Sequence, residues 1–249
     1  FFGAFAISWA LGSILTRRIF GHDARAGLVA GLSAGYGNTT LIGIPLALAA
    51  FGVEGSVPMA LIIAVQLPVM MTAVALLMVR AERLDGATRS GGSARAIVES
   101  ISRNLVTNPI IIGLAAGLAW RVSGIPFGGL PGDLVTRLAA VASPLALFAM
   151  GMSLRKYGIG GHISPALILG VLKLIVMPGL VLVIAQLVGL PVIPTKVAVI
   201  AAACPTGVTP FLIAGRFNTG EGLASNTIML STLAAVASVG LWLNIVALI

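Results

Sequence analysis

An all-α integral membrane fold follows from three features of this 249-residue sequence: its apolar composition, the length of its apolar runs, and two Gly/Pro interruptions inside them. Hydrophobic residues make up 58% of the chain and charged ones 9%, with a mean hydropathy of +1.10. A soluble domain carries about 25% charged residues. The interruptions are Gly35-Tyr36-Gly37-Asn38-Thr39-Thr40…Pro45 and Cys204-Pro205-Thr206-Gly207-Val208-Thr209-Pro210. Pro removes a backbone donor and Gly loosens the turn, so both break helices. Unpaired backbone groups are costly in hydrocarbon, and such breaks survive only beside protein or a polar cavity.

Eight spans follow from apolar runs long enough to cross a bilayer. The first, 1–17, closes at Arg17-Arg18, and 25–51 runs from Arg25 to Phe51-Gly52 with the first interruption inside it. Next come 56–79, closed by Arg80, and 104–122, bounded by Arg103 and Arg121. Span 132–154 ends at Arg155-Lys156 and 164–188 at Gly189. The second interruption lies inside 194–216, and 222–248 completes the set. The one long polar connection, 80–103, holds Glu82, Arg83, Asp85, Arg89, Arg95 and Glu99, and reads as a cytoplasmic loop with a solvated or short interfacial helical end at 97–101. The chain opens on Phe1-Phe2 within an apolar run, which reads as a partial chain.

Net charge is +8, but the basic residues sit at span ends, where they set topology and face anionic lipid; nucleic acid is not implied. Alternating sides place 11 basic residues on one side (17, 18, 25, 80, 83, 89, 95, 103, 155, 156 and 216) and three on the other (121, 137 and 196). The first side is expected to be cytoplasmic. Cys204 is the single cysteine and cannot form an intrachain disulfide. His22 and His162 fall in loops without metal-ligand spacing, no phosphate-binding loop occurs, and neither cofactor nor metal is expected.

The two halves share a pattern. Phe51-Gly52-Val53-Glu54-Gly55 follows the first break, and Phe217-Asn218-Thr219-Gly220-Glu221-Gly222 follows the second. The interrupted spans run in opposite directions across the bilayer, the mark of an inverted repeat. Three spans precede the polar connection and five follow it, so two further N-terminal spans would give five plus five. The expected organisation is 1–79 as the remainder of a first repeat, 80–103 as the loop, and 104–249 as the second repeat.

Asn38-Thr39-Thr40-Leu41-Ile42-Gly43-Ile44-Pro45-Leu46 resembles the first broken-helix motif of the auxin efflux carrier family of membrane transporters. Asn108-Pro109-Ile110-Ile111-Ile112-Gly113-Leu114, Leu172-Lys173-Leu174…Pro178 and Ala203-Cys204-Pro205-Thr206-Gly207 are similar to its later motifs, in the right order along the whole chain. The resemblance implies ten helices, eight of them present here, in two inverted repeats with crossed broken helices, as in sodium/proton antiporters and bile-acid transporters. It implies a scaffold part, often homodimeric, and a transport part. It also implies a small organic anion as cargo: auxin in plants, malate- or malonate-like acids in bacteria. The short loop between repeats is unlike that of many plant exporters, which favours a bacterial carboxylate carrier in the inner membrane.

The broken helices suit an anion on physical grounds. Each break makes a half-helix N-terminus carrying free N–H groups and roughly half a positive charge. A carboxylate gains charge-assisted hydrogen bonds there. The candidate substrate-binding residues are Gly37, Asn38, Thr39 and Thr40 at the first break, and Pro205, Thr206, Gly207 and Val208 at the second. Pro45, Pro205 and Pro210 mark the breaks. Asn38, Thr39 and Thr206 also suit plain capping, which is compatible with ligand contact. Lys173 lies nine residues from the nearer end of its span, about 14 Å deep, beyond easy snorkelling. It either attracts the anion or binds carbonyls at the half-helix ends and fixes the crossing.

All seven acidic residues fall in loops or at span ends, so a carboxylate proton relay or sodium site is not expected, and uniport or coupling through neutral oxygens is. Gly27-Gly31-Gly35 and Gly113-Gly117 permit close helix approach, expected within the protein. Transport by alternating access is the leading expectation, with a gated anion channel or passive facilitator as the alternative. No Ser/His, paired-Asp or metal constellation suggests an enzyme.

Overall fold

A computed structural model describes residues 1–86, 109–153 and 163–249. The connection expected over 80–103 lies outside these residues from position 87 onward, as do Asn108, Arg155, Lys156 and His162. The described residues are helical, without strands, and three stretches are long and apolar enough to cross a membrane: Thr39–Leu84, Ile163–Val188 and Glu221–Ala247.

The chain starts with α1 (Phe2–Phe20), ended by Gly21 in the left-handed conformation. Helix α2 (Ala24–Gly35) is capped by Asp23, whose carboxylate accepts from Ala26 N–H at 2.7 Å. After the first break a π-helical turn (Thr39–Gly43) leads into α3 (Ile44–Leu84). Gly52 (φ 61°) splits α3 into a short half-helix, 44–51, and a long helix, 53–84. Helices α4 (Pro109–Ser123) and α5 (Gly129–Ser153) follow, and those of their side chains that are described are almost all exposed. Then come α6 (Ile163–Val171), a second π-helical turn (Leu172–Val176) and α7 (Met177–Val188). Helix α8 (Val192–Ala203), the second break, α9 (Thr209–Phe217) and α10 (Glu221–Ala247) complete the order.

Helix α2 is the core of the assembly, because almost all its residues are buried. Helix α1 lies along its glycine stripe. Phe5, Trp9, Ser13 and Arg17 recur every four residues on one face of α1, and each meets Gly35, Gly31 or Gly27 at the point where a Cβ would collide. Trp9 Nε1 donates to the Leu28 carbonyl at 3.1 Å and fixes the register. Helix α8 is equally buried, between α3, α7 and α10.

The long helix continues past Arg80 to Leu84, further than the charged residues suggest, and its end is tied down. Asp85 accepts from Ala24 N–H at 2.8 Å, Arg25 N–H at 3.0 Å and Arg25 Nε at 3.1 Å. A second carboxylate therefore sits at the N-terminus of α2, where the helix dipole favours it. The ends of α1 and of the long helix thus lie with the start of α2 on one side. The 218–223 corner joins them, lining a common polar depression with His22 and Asp23.

Packing along the glycine stripe sets the first expectation. Gly31→Leu drives a side chain into Trp9 and Ser13 and should lower stability by about 1–3 kcal/mol or more, read as a several-degree fall in thermal midpoint in detergent. Gly240→Ala, in α10 where a Cβ meets open space, should not lower it.

Candidate functional site

The two breaks meet. Tyr36 leaves α2 in an extended conformation (φ −79°, ψ 112°), and Cys204 leaves α8 likewise (φ −57°, ψ 140°). The extended pieces pair antiparallel, with Gly37 opposite Thr206. Asn38 N–H donates to the Pro205 carbonyl at 2.8 Å, and Gly207 N–H donates to the Tyr36 carbonyl at 3.0 Å. Each break satisfies backbone groups that the other exposes, as a bilayer interior demands. The approach is tightest at Gly207 and close at Gly37. A Cβ on Gly207 would sit 2.8 Å from the Tyr36 ring, and one on Gly37 would sit 3.1 Å from Lys173 Nζ.

Asn38 starts the first half-helix. Its Oδ1 accepts from Leu41 N–H at 3.2 Å, and its carbonyl accepts from Ile42 and Gly43 N–H, which widens the turn to the π form. Thr39 Oγ1 donates to Gln66 Oε1 of the long helix at 3.2 Å. Thr40 is half-buried, and Pro45 occupies the first turn of α3. At the second break, Thr206 is wholly buried: its N–H donates to Ser231 Oγ at 3.1 Å and its hydroxyl to the Ser33 carbonyl at 2.9 Å. Val208 precedes α9 without a side-chain cap, and Pro210 sits in its first turn. Thr40, Leu41 and Val208 form the accessible side of the crossing, while Gly37, Asn38, Thr39, Pro205, Thr206 and Gly207 are buried.

Lys173 projects from the second π-helical turn and is wholly buried. Its ammonium donates to the Ala202 carbonyl in the last turn of α8 and lies 3.4 Å from Met177 Sδ. That carbonyl belongs to a helix C-terminus, where the backbone is partially negative and lacks its usual partner. The wide turn also frees the Leu174 carbonyl, which accepts from Ser238 Oγ and Trp242 Nε1, each at 2.8 Å.

Sequence reasoning passed over three contributors. Gln66 is a lone amide in an otherwise apolar run, buried, with Nε2 unpartnered among the described residues. That isolation was the available signal. Ser231 and Tyr36 had none, because a small hydroxyl or an aromatic ring is unexceptional in such helices. Among the described residues no group of His, Cys, Asp or Glu could hold a metal ion.

A helical membrane protein with two interrupted helices paired through their breaks is the architecture of a transport protein. The chain belongs to the membrane transport protein family, whose model matches residues 1–243. It is 30% identical over 245 residues to the Rhizobium meliloti (strain 1021) protein named "Putative malonate transporter", an alignment covering 94% of this chain and 71% of the relative. It is also similar to two Arabidopsis thaliana proteins. Auxin efflux carrier component 1 is 24% identical over 57% of this chain and 24% of the relative. Auxin efflux carrier component 8 is 25% identical over 60% and 42% respectively.

Lys173→Met should destabilise the fold by about 1–3 kcal/mol, the cost of an orphaned buried carbonyl. Thermal unfolding in detergent measures it, and Lys173→Arg should recover part of the loss by restoring a donor.

Proposed function

We propose that this chain forms the anion-binding part of a secondary carrier for small mono- or dicarboxylates of the malonate or malate type, working by alternating access. The observation that carries the reading is the meeting of two half-helix N-termini with no acidic residue from 35 to 53 or from 197 to 220. Their summed partial charges favour a carboxylate approaching past Thr40 and Val208. The buried Gln66 Nε2 adds a donor beside Thr39. On this reading the chain holds eight of ten helices in two inverted repeats, and the crossing travels with the transport part against a scaffold. A bacterial inner membrane suits the likeness to the Rhizobium meliloti protein.

Asn38→Asp separates contact from capping. The substituted carboxylate still accepts from Leu41 N–H, so the cap is kept, while a fixed negative charge at the anion site should abolish binding by protein that thermal unfolding in detergent shows to be folded. Counterflow of labelled malonate or malate in proteoliposomes, with the natural full-length chain, should show trans-acceleration in the wild type and none in Asn38→Asp. Equal counterflow in the two would remove the crossing as the site, and a wild type without trans-acceleration for any carboxylate in a panel would remove the carrier reading.

A further inference from the structure

We propose that the groove between α1 and the long helix 53–84 binds an anionic phospholipid from the leaflet on the arginine-rich side. The groove encloses about 500 Å³ and is walled by Phe5 and Trp9 on one side and by Val69 and Leu77 on the other. Among the described residues, its only charged lining ones are Arg17 and Arg80, both toward one end. That end is where α1 and the long helix both finish, next to the Asp85 anchor on α2.

Length and charge select the occupant. Arg80 and Val69 are eleven residues apart in one helix, about 16 Å at 1.5 Å per residue. Half of a bilayer's hydrocarbon core is about 15 Å. An acyl chain laid from Val69 toward Leu77 therefore brings its headgroup level with the two guanidiniums. A phosphate fits there, since guanidinium pairs with phosphate oxygens through two parallel N–H bonds. Both arginines are exposed, and among the described residues neither pairs with a carboxylate, whereas neighbouring Arg25 is held by Asp85 and Asp23. The Arg17 stem rests on α2 at Gly27, where no side chain competes for the space. Ordinary topology-setting arginines need no groove; here an apolar channel of one leaflet's depth ends at the pair. The site is independent of the proposed cargo and lies apart from the crossing.

Trp9 lines the groove and is held by its bond to Leu28, so it reports on an acyl chain placed there. The protein is reconstituted in phosphatidylcholine vesicles containing a minor fraction of either phosphatidylglycerol or phosphatidylcholine with brominated acyl chains. The Trp9 emission is taken as the difference between wild type and Trp9→Phe. Brominated phosphatidylglycerol should quench it several-fold more than brominated phosphatidylcholine at equal mole fraction. The double variant Arg17→Gln/Arg80→Gln, which keeps much of each stem, should lose the excess, while Arg83→Gln, outside the groove, should retain it. Equal quenching by the two lipids, an excess that survives in the double variant, or no quenching by either because protein covers the groove would each overturn the proposal.

Discussion

A helix broken inside a bilayer exposes amides and carbonyls that water cannot reach, and this chain breaks two. The structure depends on how those groups are repaid. Two backbone hydrogen bonds join Asn38 to Pro205 and Gly207 to Tyr36, so neither break is tolerable without the other. Lys173 then covers the Ala202 carbonyl, and Ser231 serves the Thr206 N–H. The Thr206 hydroxyl closes the set by reaching the Ser33 carbonyl, which belongs to the opposite broken helix. Each of these contacts joins residues distant in sequence, so the crossing is a tertiary structure held from several sides.

The rest of the packing brings those groups to one point. Helix α2 must lie deep and at a fixed height if Gly37 is to face Thr206. Its glycine stripe lets α1 approach until Trp9 reaches the Leu28 carbonyl, and two carboxylates, Asp23 and Asp85, fix its N-terminal end. Helix α8 is held from the other direction by α7 and by both parts of α3. Both half-helices that leave the crossing are short, 44–51 and Thr209–Phe217, and both end at a left-handed residue, Gly52 and Asn218. A short rigid piece between a break and a sharp turn holds its N-terminus in place, which an anion site needs.

Much of this was legible because Gly and Pro act locally. Breaks at 35–38 and 204–207 follow from residue type alone, and so do the ends of most described helices. The pairing of the breaks was readable only as opposed directions across the membrane; the bridge between Gly37 and Thr206 depends on tertiary contact. The π-helical turn at Leu172–Val176 contains neither Gly nor Pro, so nothing local announced it, although Lys173 at its centre drew notice as a buried charge. The helix itself runs on past Arg80 to Leu84, because a long basic side chain can leave the hydrocarbon while its helix continues, and Asp85 holds that extension against α2. Gln66 was visible and undervalued: one amide among apolar residues is cheap to ignore until a threonine is found beside it.

The charge balance of the crossing gives the proposed anion site its character. Two helix N-termini and two helix C-termini meet there, and their partial charges of roughly half a unit each nearly cancel in sum. They do not cancel in place, since the N-termini face the accessible side while Lys173 and the bridge occupy the C-terminal ends. With Lys173 protonated, the empty crossing carries one net positive charge, and no acidic side chain lies in either broken segment to offset it. A bound monocarboxylate makes the loaded crossing neutral, and a dicarboxylate makes it singly negative. A field of 100 mV acts on one elementary charge moved across it with about 2.3 kcal/mol. Empty and loaded forms would therefore respond differently to membrane potential. On the proposed reading, the potential then biases the cycle through the protein's own lysine, without a titrating carboxylate in either broken segment.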